Sequence, residues 1–204
     1  MLNTRTNIIN YFINRYGYKT YLEIGVLDVN INFNSIMVLD KTGVDPNVNG
    51  IEYTMTSDDF FAQNTKSFDV IFIDGLHESE QVYRDINNSL AVLNDSGTII
   101  MHDCNPTDEV IQLVPQIRGG EWTGDCWKAF VRFRNESVEY DMFVIETDYG
   151  VGIIRKSTKP VEPLYLTESL TYNNLENNRV AWLNLTKPSD VELKLNELDG
   201  TKND

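Results

Sequence analysis

The chain has 204 residues, 41% of them hydrophobic and 24% charged, which suits one globular domain with an appendage and excludes a disordered chain, a collagen-like repeat or a coiled-coil fibre. Lys and Arg number 17 against 31 Asp and Glu, and the resulting net charge of -14 disfavours a nonspecific hold on a nucleic-acid backbone. Residues 1–10 lack the cationic start and apolar core of a secretory signal, and no run approaches the ~18 apolar residues of a membrane span, so a cytoplasmic protein with neither membrane nor nucleic-acid partners is expected. Cys104 and Cys126 are too few for a disulfide scaffold and are expected to be reduced thiols.

Ile8, Ile9, Phe12 and Ile13 fall at helical spacing and predict an amphipathic helix over 6–16, stopped by Gly17. Residues 21–25 read as a short strand running into a turn. Residues 36–39 read as a brief helix end before a second strand over 43–46, so the crossover is near the lower limit for a parallel connection. Residues 53–55 are a third candidate strand. Ser57, Asp58 and Asp59 start a helix with acids in its first turn. The segment 68–74 is almost continuously apolar, as a central parallel strand covered on both faces should be.

Val82, Ile86, Leu90 and Leu93 form the next helical stripe, 94–97 a turn, and 98–101 another buried strand. Helices are predicted over 108–114 and 125–133, followed by strands at 141–146 and 151–155 joined by a hairpin at Tyr149 and Gly150. This order predicts an α/β sheet with helices on both faces and one antiparallel strand near its edge. From 157 onward the chain is polar, with only 173–185 reading as a helix. Residues 1–156 are therefore expected to form the α/β domain and 157–204 a C-terminal appendage with frayed last residues.

Four successive strands end in a carboxylate: Glu23, Asp45, Asp74 and Asp103. Ligands of open parallel sheets bind beyond the C-terminal strand ends, which would place these acids around one mouth. An acid at any one such position can instead cap the helix that follows. A mouth of this sign repels a polyphosphate, and neither G-x-G-x-x-G nor a P-loop is present to hold one. A ligand with neutral hydroxyls and a positive centre fits better, because a carboxylate can accept two hydrogen bonds from a ribose diol while another faces the cation; S-adenosylmethionine has both features.

The two histidines, His77 and His102, also fall at strand ends. His77, three residues past Asp74, is placed to take a proton from a substrate hydroxyl, and Asp74, His102 and Asp103 are candidate ligands of a divalent ion. A zinc site from His102, Cys104 and Cys126 lacks C-x-x-C spacing.

These residues resemble class I S-adenosylmethionine-dependent methyltransferases, in the branch of small-molecule and sugar O-methyltransferases. The likeness is carried by Tyr21-Leu22-Glu23-Ile24-Gly25-Val26, Gly43-Val44-Asp45-Pro46, 68–77 and 97–103. It implies a Rossmann-like, mostly parallel seven-stranded sheet with one antiparallel strand. It also implies S-adenosylmethionine as cofactor, with its methionine part at Glu23 and Gly25, its ribose on Asp45 and its adenine near Ser57 and Asp58. In metal-dependent members the acids matching Asp74 and Asp103 bind Mg2+ and the residue matching His77 is the base, whereas His102 stands where such members can have another acid. The first motif departs from the pattern at Val29, where a second glycine is usual, and Asn30 is the expected source of a left-handed turn. Trp122 and Trp127 are candidates for an acceptor wall or, equally, for an interior aromatic cluster.

The function expected is O-methylation of a small molecule or sugar, with Mg2+ assistance as an option. The alternatives are a non-catalytic binding or assembly protein on the same fold and a metal-dependent hydrolase.

Overall fold

The computed structural model describes residues 2–200. Helix α1 (Arg5–Tyr16) begins where the Thr4 side chain accepts the Asn7 amide and ends at Gly17, whose φ of 68° turns the chain left-handed. Its predicted stripe is the buried one, with Ile8, Ile9 and Phe12 wholly inside.

Strands β1 (Thr20–Ile24), β2 (Asp40–Val44), β3 (Phe68–Ile73), β4 (Leu93–Met101), β5 (Tyr140–Ile145) and β6 (Val151–Lys156) form one sheet in the order β2-β1-β3-β4-β6-β5. β1 to β4 are mutually parallel, and only β6 runs against its neighbours, antiparallel to both β4 and β5. This is the expected doubly covered α/β sheet, but with six strands among the described residues rather than seven. The strand predicted at 53–55 reduces to a single parallel bridge between Tyr53 and Val44, because Thr56 caps the next helix and leaves no chain to extend the pairing.

Side chains alternate across the sheet as the two-residue period requires. Leu22, Ile24, Ile71, Ile73, Ile99 and Met101 pack beneath α2 (Ser57–Gln63), α3 (Ser79–Val92), α4 (Cys126–Glu136) and α5 (Tyr172–Leu183). Tyr21, Val70, Phe72 and Ile100 pack against α1 and α6 (Val191–Asp199) on the other face.

Four further expectations change. The connection from β1 to β2 holds only one 3-10 turn, Phe33–Ser35, because Lys41 Nζ takes the carbonyls of Phe33 and Ile36 at 3.0 and 3.3 Å. Leu93 starts β4 instead of closing α3, and 94–97 is extended beside a register shift opposite 68–70, where Asp69 accepts Asn94 Nδ2 at 2.7 Å. The helix predicted over 108–114 is a set of turns, since Asp108 Oδ1 captures the amides of Val110 and Ile111. Finally, α5 stops at Leu183 with Asn184 in the left-handed conformation, and 191–199 is a helix rather than tail, with Val191 and Leu195 fully buried. The fraying expected at the end of the chain falls on 201–204, outside the described residues. No helix among the described residues is long and apolar enough to cross a membrane.

Candidate active site

The C-terminal ends of β1, β2 and β3 open on a cavity of about 360 Å³. Gly25, the residue after β1, is required there: its φ is 87°, and a Cβ would lie 2.2 Å from the carbonyl oxygen of Asp74. The two strand ends can approach this closely only without a side chain. Asp45, the residue after β2, accepts the amides of Leu27 at 3.0 Å and Asn47 at 2.8 Å, tying the loops after β1 and β2 together. Besides Gly25, the left-handed residue of the first loop is Leu27, with φ of 53°, and not Asn30, which bonds back to Asp28.

Ser57 and Asp58 at the start of α2 close the far side, where Gln81 of α3 donates to both at 3.2 Å. The residues lining this cavity include the carboxylates of Asp45, Asp58 and Asp74 and neither Lys nor Arg. That donor set suits a ligand bearing hydroxyls and a positive charge and rejects a polyphosphate.

Glu23 is not at the mouth. It lies inside β1, 1% exposed, and accepts the Tyr21 hydroxyl at 2.5 Å and Asn32 Nδ2 at 3.1 Å. Burial pushes its carboxyl up to about 7 despite these bonds.

A second cavity of about 370 Å³ shares Asp74, Gly75 and Leu76 with the first and extends over His77, His102, Asp103 and Trp122. Here the structure brings Asp74, His77, His102 and Asp103 within contact distance. His77 Nε2 lies 3.3 Å from Asp74 Oδ1, and its Nδ1 lies 3.3 Å from Asp103 Oδ2 and 2.9 Å from the Trp122 carbonyl. His102 Nδ1 lies 3.1 Å from Asp103 Oδ1 and 3.4 Å from Asp74 Oδ1. Asp103 holds a φ of 59°, an uncommon backbone state for a residue with a side chain, at the point where the chain leaves β4.

Burial alone would raise the Asp74 carboxyl, but the facing imidazoles and Arg5 hold it well below the usual carboxylate range. Burial opposes charge on His77 and His102, and the surrounding carboxylates overcome it, so both imidazoles are pushed up.

His77 is fixed by packing as well as charge. Its ring stacks on Trp122 at 5.2 Å and 29°, and a Cβ on Gly124 would lie 1.8 Å from the His77 carbonyl oxygen, so the chain at 122–124 presses directly on it. Trp122 thus borders the second cavity, whereas Trp127 is fully buried and stacks on Trp182 of α5.

Two site residues carry no sequence signal. Arg5, at the start of α1, reaches Asp74 Oδ2 at 2.5 Å, and Asp148, in the β5–β6 hairpin, lies 3.3 Å from His102 Nε2. Asp74, His102 and Asp103 form the one group of potential metal donors among the described residues, with ligand atoms within 4.8 Å of one another. Cys104 and Cys126 do not join it.

Residues 24–104 match the family described as a methyltransferase domain. No curated protein matches the chain. Solved structures that are similar include an O-methyltransferase from Bacillus cereus in complex with S-adenosylhomocysteine (13% identity, 74% of this chain and 80% of that one, TM-score 0.52). Others are the O-methyltransferase TomG from Streptomyces achromogenes, involved in tomaymycin synthesis, with S-adenosylmethionine (10%, 74% and 79%, 0.55), and a Staphylococcus aureus protein provisionally assigned as a caffeoyl-CoA O-methyltransferase (17%, 74% and 82%, 0.54). At these identities the shared property is the Rossmann-like fold. The matched segment runs from the end of β1 to just past β4 and so contains Gly25, Asp45, Asp74, His77 and Asp103; over this stretch the chain is similar to a methyltransferase domain.

Proposed function

We propose that this chain transfers the methyl group of S-adenosylmethionine to a hydroxyl of a small molecule or sugar, with the cofactor in the first cavity and the acceptor in the second. The observation that carries this reading is that the two cavities meet at Asp74, Gly75 and Leu76, so that ligands filling them are adjacent. The cofactor fits on the chemistry of the first cavity: Asp45 retains lone pairs for a ribose diol, Ser57 and Asp58 border the adenine end, and Gly25 and Asp74 border the methionine end. Bound there, S-adenosylmethionine supplies an electrophilic methyl group on a cationic sulfur.

The chain's own residues then have to position an oxygen and remove its proton. The Trp122 carbonyl can only accept, so His77 Nδ1 carries a hydrogen and the free lone pair of the neutral ring is on Nε2. Nε2 takes the acceptor's proton, and Asp74 Oδ1 at 3.3 Å stabilises the imidazolium that results. Trp122 forms the wall that excludes water from this side. No step passes through Mg2+, because the Asp74, His102 and Asp103 cluster already holds the guanidinium of Arg5. In the same reading 157–204 is an appendage on the sheet domain, supported by Trp182 against Trp127 and by Arg134, which donates to the carbonyls of Ala181 and Trp182.

A crystal structure with S-adenosylhomocysteine tests the reading. Density between Gly25 and Asp45 with the sulfur beside Asp74 supports it, and density elsewhere, or none at saturating ligand, overturns it.

A further inference from the structure

The acidic cluster at the ends of β3 and β4 has the donors of a divalent-ion site but not its availability. Arg5 Nη1 lies 2.5 Å from Asp74 Oδ2 and 3.1 Å from His102 Nδ1, in contact with two of the three residues that would hold an ion. His102 Nδ1 has no free lone pair to offer an ion while Arg5 is in place. Protonated, it donates to Asp103 at 3.1 Å; neutral, with its hydrogen on Nε2 facing Asp148, it accepts from Arg5. The acids Asp74, Asp103 and Asp148 face Arg5, His77 and His102, and the guanidinium of Arg5 gives this cluster a fixed positive charge from the chain itself.

Arg5 is also firmly placed. It is the first residue of α1, its backbone amide donates to Asp148 Oδ2 at 2.7 Å, and its Nε lies 3.4 Å from the same oxygen, so a carboxylate seats the helix N-terminus where the helix dipole favours it. The helix behind it is anchored by Ile8, Ile9 and Phe12. Arg5 lines the second cavity, and its Nη2 has no protein partner among the described residues.

We propose that Arg5 is the resident cation of this site: it engages donor residues that a divalent metal would need, makes the site metal-independent, and presents Nη2 to the acceptor oxygen. An oxygen losing its proton to His77 would then be stabilised by a guanidinium hydrogen bond, and a charge-assisted bond of this type needs no second oxygen on the acceptor for chelation. The part concerning the acceptor rests on the methyl-transfer reading; the absence of a metal requirement does not.

The test is Mn2+ binding followed by electron paramagnetic resonance on the full chain, in the parent, Arg5→Ala and Arg5→Lys, with S-adenosylhomocysteine affinity and thermal unfolding measured on the same samples. Folded parent and Arg5→Lys are expected to bind Mn2+ no better than an Asp103→Asn control. Arg5→Ala, which takes the guanidinium away from Asp74 and His102, is expected to gain at least about tenfold in Mn2+ affinity. Parent protein that binds Mn2+ more than about tenfold better than Asp103→Asn overturns the proposal. So does a folded Arg5→Ala that gains no affinity. The S-adenosylhomocysteine measurement reports separately on the methyl-transfer reading, so the two can fail independently.

Discussion

Gly25→Ala perturbs the contact on which the first cavity is built. The added Cβ would sit 2.2 Å from the Asp74 carbonyl oxygen and 2.5 Å from Gly75 Cα, both backbone atoms that no rotamer can move aside. The residue would also have to hold a φ of 87°, which costs an L-amino acid roughly 1–2 kcal/mol. Separating the ends of β1 and β3 enough to admit a methyl group adds about 1–3 kcal/mol of overpacking. Together these give about 2–5 kcal/mol, and for a chain of this size each kcal/mol lowers Tm by roughly 2–4 °C. Differential scanning calorimetry should therefore show a fall of roughly 4–20 °C. Because Asp74 is displaced at the junction of the two cavities, S-adenosylhomocysteine binding should be lost even well below the lowered Tm. A variant with the parent's Tm and ligand affinity would refute the close-approach reasoning.

His77→Ala should lower the rate of methyl transfer by about 10²- to 10⁴-fold at saturating substrates while leaving S-adenosylhomocysteine affinity unchanged, as shown by single-turnover kinetics beside calorimetry. Asp45→Ala removes a charged acceptor from the ribose side and should weaken S-adenosylhomocysteine by roughly 1.5–3 kcal/mol; equal affinity would remove Asp45 from the site. Trp122→Ala should raise KM for the acceptor and, through the lost stack on His77, reduce kcat as well, whereas Trp127→Ala should act on stability alone. Glu23 gives a pH dependence. Its carboxyl is raised from the ordinary 4.5 to about 7 by burial, so its share of stability is complete below pH 4.5 and is lost as pH rises through about 7. Urea unfolding should show Glu23→Gln gaining about 2–3 kcal/mol relative to the parent between pH 5 and 8, and a gap that does not change with pH would contradict the raised value.

The sheet was legible because continuous apolar runs such as 68–73 and stripes such as Val82 and Ile86 report burial directly. Asp45, Asp74, His77 and Asp103 were legible because parallel topology sends every strand end to one rim. Glu23 was misjudged by one residue: it precedes the strand's last residue, so its side chain points into the sheet layer rather than over the edge. The third strand failed because Tyr53 alone pairs before Thr56 claims the chain for α2. A spacing signal for α6 does exist in Val191, Leu195 and Leu198, masked by the polar residues between them. Arg5 and Asp148 could not be read at all. A charged residue at a helix start or in a hairpin looks like ordinary solvated surface, and only the tertiary packing of α1 against the sheet carries Arg5 to an acid distant in sequence.

Titration calorimetry of the parent protein with S-adenosylmethionine tests the central claim most directly. A single saturable site that Asp45→Ala weakens is the result this structure calls for. Absence of heat at millimolar cofactor, with circular dichroism showing the fold intact, would contradict it.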